Sequence, residues 1–304
     1  MNYTIESLPK QKGKIAIVTG ANSGLGFETT LALAKKEATI IMACRNMEKA
    51  ETAKKQLLEK VPTADLHLME IDLSKLDSVR SFTKSYLKEF NQLNLLINNA
   101  GVMMPPYEKT EDDFELQFEA NYLGHFLLTA LLIDSLLKTP NSRIVSLSSI
   151  AHKSAEINFD DLQSENSYSK SKAYGQSKLA CLIFAYELQR RLKKRNSGTI
   201  SVAAHPGVSN TELARHLPKF FTYILGPILL PLFTHEPPNA AKPQINAAIN
   251  KGVKGGDYFG PTGFYEMKGG VGKVGSTTIS KDEEIAKKLW KVSEKLCNTK
   301  LFTD

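Results

Sequence analysis

Cysteine is scarce in this chain. Its 304 residues contain three, Cys44, Cys181 and Cys297, and no C-x-x-C pair. An odd count without paired spacing argues against a disulfide framework and a cysteine-based zinc site, and it favours a reducing compartment. No metal site is expected. Long apolar runs are also missing. No continuous stretch reaches the roughly 18 apolar residues that a bilayer span requires. The nearest, residues 220–233, is short and is interrupted by Pro227 and Pro231. The N-terminal stretch MNYTIESLPKQKGK has no apolar core and does not read as a secretory signal, so the expected location is cytoplasmic. Acidic residues are in modest deficit, 32 against 39 Lys plus Arg, for a net charge of +7. The lysines are dispersed, which suits an anionic small ligand and gives a nucleic-acid surface little support. With 42% hydrophobic and 23% charged residues, wholesale disorder and fibrous classes are excluded.

What is present is alternation. Short apolar runs at 14–19, 39–43, 66–71, 94–97, 143–147 and 199–203 read as buried strands. Between them, residues 27–36, 47–58, 78–90, 113–138 and 173–194 carry helical spacing. This β-α rhythm predicts an α/β fold, a Rossmann-type doubly wound parallel sheet with helices on both faces. Further helices are expected at 239–250 and 281–297, separated by a Gly-rich stretch over 252–275. No repeat or linker divides the chain, so residues 1–304 count as a single domain. Residues 208–235, rich in proline and aromatics, form a variable segment expected to wall a substrate pocket. Such a composition fits a hydrophobic carbonyl or alcohol, a buried helix or a membrane-surface patch.

The first strand runs into Thr19-Gly20-Ala21-Asn22-Ser23-Gly24-Leu25-Gly26 and a helix follows at once. Glycines at 20, 24 and 26 permit a tight turn, close approach of a ligand, and close packing of helix on strand. The free N–H groups and the helix dipole then face an anion, most often a pyrophosphate. No Gly-Lys-Ser/Thr follows, which excludes a Walker loop. The second strand ends in Cys44-Arg45-Asn46, where an acidic side chain would bind a ribose hydroxyl. A guanidinium there pairs with a 2′-phosphate, so NADP(H) is expected over NAD(H).

Tyr174 and Lys178 stand four apart, on one face of a helix. Alone, such a pair reads as two residues of a solvated face. A phenol titrates near 10, and a neighbouring ammonium favours the phenolate, which makes a proton carrier. The fifth strand ends in Ser146-Leu147-Ser148-Ser149 and the fourth in Asn98-Asn99-Ala100-Gly101. Both lie at the carboxyl edge, where open α/β sheets bind ligands. Asn121, amid apolar neighbours, needs partners for its amide: local groups, or a water linked to Lys178.

TGANSGLG at 19–26, NNAG at 98–101, the serines at 148–149, YGQSK at 174–178 and His205-Pro206-Gly207 together resemble the short-chain dehydrogenase/reductase family over nearly the whole chain. ACRN at 43–46 and GGDYFGPTGF at 255–264 resemble the branch with retinol dehydrogenases and WW-domain oxidoreductases. The resemblance implies Tyr174 as general acid/base and Lys178 as its partner and ribose contact. Ser149, the second of its pair, would polarise the carbonyl, and Asn121 would anchor a water chain. The cofactor would touch Gly20, Asn22, Ser23, Gly24, Leu25, Gly26, Arg45 and Asn46. Beyond the ribose it would meet Asp72, Leu73, Asn99, Ala100 and Gly101. Its nicotinamide end would lie against Pro206, Gly207, Val208 and Thr211. The resemblance implies pairing of subunits into a homodimer or homotetramer through the helices bearing Asn121 and Tyr174. Residues 152–172 lengthen the segment between Ser149 and Tyr174 beyond many family members. His152 adds nothing as a triad member, because Tyr174 and Lys178 already supply acid/base chemistry. The implied activity is NADP(H)-dependent interconversion of a small hydrophobic carbonyl and its alcohol. A non-catalytic NADP(H) sensor is the alternative. A nucleotide-sugar epimerase fits less well, because the glycine spacing differs and little chain follows Gly207.

Overall fold

The computed structural model describes residues 5–208 and 235–302. Thr211 and the apolar run at 220–233 lie outside the described residues. Six strands form where the apolar runs predict them: β1 (Ile15–Thr19), β2 (Thr39–Cys44), β3 (Asp65–Glu70), β4 (Leu95–Asn98), β5 (Arg143–Leu147) and β6 (Ile200–Ala204). Helices α1 (Gly24–Lys35), α2 (Met47–Lys60) and α3 (Leu76–Glu89) connect the first four. The described residues form one eight-stranded sheet in the order β3-β2-β1-β4-β5-β6-β7-β8. All pairings are parallel except the last. The chain reverses direction across the sheet between β1 and β4, and such a switch point opens a crevice at the strands' carboxyl ends.

The parallel strands read as unbroken apolar runs because both faces are covered. In β1, Ile17 joins a core under α3 and the later long helices, while Ala16 and Val18 join a second core under α1 and α2. The same alternation separates Ile41 from Ile40 and Met42 on β2.

The expectation of one helix over 113–138 is corrected. A short turn α4 (Leu116–Phe118) passes into a π-helical turn at Glu119–Leu123, and only then into α5 (Gly124–Lys138). Within that turn the Gly124 N–H reaches back five residues to the Glu119 carbonyl. Widened turns of this kind concentrate at functional sites. Residues 116–138 together are long and apolar enough to cross a bilayer, although polar residues interrupt them, but 83% of their most apolar stretch is buried inside the protein. That apolar content serves the core.

Helix α6 (Lys170–Lys194) carries Tyr174 and Lys178. Beyond β6 the expected helix at 239–250 splits into α7 (Pro237–Ala240) and α8 (Lys242–Ile249). The Gly-rich stretch holds two strands that periodicity missed, β7 (Tyr258–Pro261) and the antiparallel β8 (Val271–Lys273). Both are short, and their glycines leave little apolar signal. The expected last helix also divides, into α9 (Thr278–Lys281) and α10 (Glu283–Leu296), because Asp282 caps the second through bonds from Glu284 N and Ile285 N. Helix α10 lies across α6, with Trp290 against Phe126 and Phe184.

Candidate active site

The β1–α1 loop makes the floor of the crevice. Gly26 has no room for a side chain, since a Cβ there would sit 2.1 Å from the Gly20 carbonyl oxygen and 2.7 Å from Asn99 Nδ2. Ser23, the N-cap of α1, makes no side-chain capping bond, and the first turn holds no acidic residue. Its N–H groups and positive dipole end are left for an anion. Asn99 locks the neighbouring turn to the loop, with Nδ2 donating to Thr19 O at 2.7 Å and its own N–H donating to Thr19 Oγ1 at 2.9 Å. Gln244 of α8 completes the brace by donating to Asn99 Oδ1, Leu25 O and Thr29 Oγ1.

A cleft of about 400 Å³ runs along these strand ends. On the β2 side it is lined by Arg45, Asn46 and Lys49, in the middle by Asp72, Leu73 and Asn99 to Gly101, and on the β5 side by Ser148, Tyr174, Lys178 and Pro206. Gly20, Asn22, Ser23, Gly24, Leu25 and Gly26 line it as well. Most of the residues singled out in the sequence therefore meet in one cleft. Asn121, Ser149, Gly207 and Val208 are not among its lining.

On the β2 side, Asn46 caps α2 by accepting the Lys49 N–H at 2.8 Å. Neither Arg45 nor Lys49 has an acidic partner among the described residues. Burial pushes the Cys44 thiol up to about 11, so it brings no negative charge to this corner. In the middle, Asp72 is held by Ser74, whose N–H and hydroxyl both donate to Oδ1.

On the β5 side, Tyr174 and Lys178 are both buried, and Lys178 Nζ lies 5.9 Å from the Tyr174 ring centroid. The ammonium donates to Leu147 O at 3.2 Å. Asn121 takes local partners. Its Oδ1 accepts from Val102 N at 2.7 Å, and Nδ2 donates to Val102 O at 3.0 Å and Ser177 Oγ at 2.9 Å. Gly101 makes this packing possible, because a Cβ there would lie 2.9 Å from Asn121 Oδ1 and 3.2 Å from Lys178 Nζ. The two serines differ. Ser148 Oγ donates to Lys178 O at 2.8 Å, whereas Ser149 Oγ accepts from Ala151 N at 3.2 Å and caps the 3-10 turn Ile150–Ser154.

The His205-Pro206-Gly207 turn is clamped from beneath. Burial lowers the His205 pKa. Gly207 N–H donates to its Nδ1, so Nε2–H donates to Glu266 Oε2 at 3.1 Å. Glu266 also pairs with Lys153 at 2.9 Å, and the hydrogen bond from His205 leads in holding its carboxyl down at about 2. His152 lies fully buried with Nδ1 donating to Ser149 O, and it takes no triad geometry.

A family model for short chain dehydrogenase matches residues 14–220. The chain belongs to the short-chain dehydrogenase family. Human retinol dehydrogenase 13 is 42% identical over 291 residues, covering 93% of this chain and 84% of that protein. Human retinol dehydrogenase 11 is 40% identical over 283 residues, covering 92% and 85%. An uncharacterized protein from Mycobacterium paratuberculosis superposes with a TM-score of 0.83 at 36% identity, over 100% of both chains. The Pseudomonas aeruginosa RhlG/NADP active-site complex shares the fold alone, with a TM-score of 0.65 at 20% identity over 82% and 94%. This short-chain dehydrogenase therefore falls in the retinol dehydrogenase branch, as an oxidoreductase of alcohol and carbonyl groups that uses a nicotinamide dinucleotide.

The residues present fit that cofactor. The crowded glycines leave a backbone cradle, the α1 terminus offers unpaired donors, and the cleft is continuous from Arg45 to Tyr174. Sequence reasoning weighed Ser148 and set it aside for Ser149, and it missed Lys49 and Gln244. Lys49 could have been found as a second basic residue just past the N-cap. Gln244 had no local signal, because its partner Asn99 is distant in the chain.

Proposed function

We propose that the protein is an NADP(H)-dependent oxidoreductase that interconverts a hydrophobic aldehyde or ketone and its alcohol, with Tyr174 carrying the proton. The observation that carries this reading is one cleft with Arg45 and Lys49 at one side and buried Tyr174 and Lys178 at the other. A bound nicotinamide dinucleotide supplies or accepts a hydride there. The chain's own residues do the rest. The α1 N-terminus and the 20–26 loop hold the pyrophosphate, and Arg45, Asn46 and Lys49 hold the 2′-phosphate. Asp72, Leu73, Asn99, Ala100 and Gly101 bound the adenosine side, and Pro206, Gly207 and Val208 the nicotinamide side. Ser149 Oγ donates a hydrogen bond to the carbonyl oxygen. Tyr174 Oη gives that oxygen a proton in reduction and takes it back in oxidation. The Lys178 ammonium favours the phenolate after transfer, and Asn121 keeps the adjoining 102 segment and α6 in register. The names of the relatives, retinol dehydrogenases 11 and 13, support a hydrophobic substrate.

The test is oxidation of NADPH by the purified protein over a panel of hydrophobic aldehydes and ketones, with Tyr174→Phe alongside. The variant should bind NADPH as the parent does and lose about 100- to 10,000-fold in turnover, the usual worth of a positioned acid/base. Undiminished turnover in Tyr174→Phe removes Tyr174 from this role. Tight NADPH binding with no turnover by the parent on any compound favours a non-catalytic sensor.

A further inference from the structure

His125 sits on α5, one turn past Asn121, and is buried with both ring nitrogens engaged. Nδ1 lies 2.9 Å from the Asn121 carbonyl oxygen, which can only accept, so Nδ1 carries the hydrogen. Nε2 is then a bare acceptor, and Thr19 Oγ1, which also lies 3.3 Å from Ile97 O, gives its one hydrogen to the nearer Nε2 at 2.9 Å. Burial lowers the His125 pKa to about 4, and the Lys178 ammonium nearby adds to that, so the ring stays neutral with this one tautomer. Thr19 Oγ1 in turn accepts the N–H groups of Asn99 and Ala100, each at 2.9 Å.

The imidazole therefore joins two halves of the cleft. One arm ends on the last residue of β1 and, through Thr19, on the Asn99–Ala100 turn beside the glycine loop. The other ends on the π turn, whose Asn121 side chain holds Val102 and Ser177. The Ser177 hydroxyl donates to Tyr174 O at 2.8 Å. Cys181 Sγ donates to the same Asn121 carbonyl at 3.2 Å and packs the turn against α6. A π turn adds a residue to the helical circuit, which lengthens the ladder bond there from i−4 to i−5. The His125 Nδ1–H holds the Asn121 carbonyl of this turn from the side of β1.

We propose that His125 is a positioning residue that sets the π turn, and with it the Asn121–Tyr174–Lys178 group, against the cofactor-binding end of β1. The proposal rests on the reading of this cleft as the active site. It predicts that the two arms can be separated by amides. His125→Asn places a donor near Nδ1 and keeps the Asn121 arm, whereas His125→Gln reaches toward Thr19 and keeps the other arm. His125→Leu has neither.

The experiment measures NADPH affinity, kcat and KM for one active aldehyde, and thermal midpoint, for the parent, these three variants and Tyr174→Phe. In His125→Leu, kcat should fall about 10- to 100-fold, as sub-ångström to ångström misplacement of reacting groups does. Substrate KM should hold within about threefold. His125→Asn should recover most of kcat, and His125→Gln should recover NADPH affinity but not kcat. A His125→Leu protein with parental kcat and NADPH affinity, whatever its thermal midpoint, overturns the proposal. So does equal loss in all three variants, which means a packing role alone. Loss in His125→Leu together with undiminished turnover in Tyr174→Phe overturns the reading of the site instead. If no compound is turned over, NADPH affinity decides, and a parental value in His125→Leu overturns the proposal. A variant that fails to fold is replaced in this comparison by the two amide variants, whose divergence carries the same decision.

Discussion

Ser148 and Ser149 are adjacent, and the residue scale shows why adjacency does not make them equivalent. Ser148 ties the end of β5 to α6 through Lys178 O, while Ser149 faces the start of the 3-10 turn. Only the Ser149 hydroxyl is left with its hydrogen for a substrate oxygen. Ser149→Ala should therefore reduce kcat about 100-fold or more, in the range of a lost oxyanion donor. Ser148→Ala should cost about 1 kcal/mol of stability, the net worth of a buried hydrogen bond, with a smaller effect on kcat. The reverse order in steady-state kinetics would exchange the two roles. At the other side of the cleft, Arg45 and Lys49 meet no carboxylate among the described residues, and the neighbouring Cys44 stays uncharged. Arg45→Ala should weaken NADPH about 10- to 100-fold, the worth of one charge-assisted bond of about 1.5–3 kcal/mol. NADH affinity should stay within about twofold, and equal losses for both cofactors would sink the 2′-phosphate assignment.

At the scale of elements, the π turn is where sequence periodicity and structure part. Phe114, Phe118, Tyr122 and Phe126 recur every fourth residue, so the pattern reads as one helix, and the extra residue of a π turn leaves no compositional trace. The turn also carries Glu119, which is fully buried and makes no well-formed hydrogen bond through either oxygen among the described residues. Burial pushes its carboxyl up to about 8. Its ordinary value is 4.5. Between those values the folded state holds a proton that the unfolded state has lost, so stability falls as pH rises from about 4.5 to 8 and stays lower above that. Glu119→Gln should remove this slope. Denaturation midpoints at pH 5.5 and 8.5 check it, with the variant's gain on the parent larger at the higher pH. The Glu266 clamp behaves oppositely. Its carboxyl is held at about 2, so its contribution is present above the ordinary carboxylate value and is lost as pH falls toward 2.

Across the whole molecule, the last helix closes the side of α5 and α6 away from the sheet. Ala286, Leu289, Trp290 and Ser293 of α10 are buried, and Ser293 Oγ meets Tyr122 Oη at 2.7 Å. Helix α10 thus covers part of α5 and α6. Trp290 is the single tryptophan, and the Arg191 guanidinium stacks 4.1 Å from its ring centroid. Trp290→Ala should lower unfolding free energy by about 3–5 kcal/mol, as removal of a buried aromatic does. Far-UV circular dichroism in guanidinium reads the shift, and an unchanged midpoint would mean that α10 is not part of the cooperative core.

The first six strands and the glycine loop were legible in the residues because each rests on local rules, whereas the Tyr174–Lys178 pair stood out only beside the strand-end serines and asparagines and the family resemblance. A strand buried on both faces is a continuous apolar run, a phosphate turn needs glycines at fixed offsets, and residues four apart share a helix face. The place of Arg45 at the edge of the cleft was legible for the same reason, at a known strand end. The short strands β7 and β8 were not, since the two residue pairs that β7 makes with β6 and the three it makes with β8 outweigh a glycine-rich local preference. Nor were the roles of His125 and Gln244. Their bonds to Thr19 and Asn99 cross 106 and 145 positions of sequence, and such partners become neighbours only when the sheet closes. Local chemistry and periodicity thus determined which residues could form the site. The crossing of α5 and α8 over the sheet decided how those residues are held, because burial and hydrogen-bond satisfaction are properties of the packed interior.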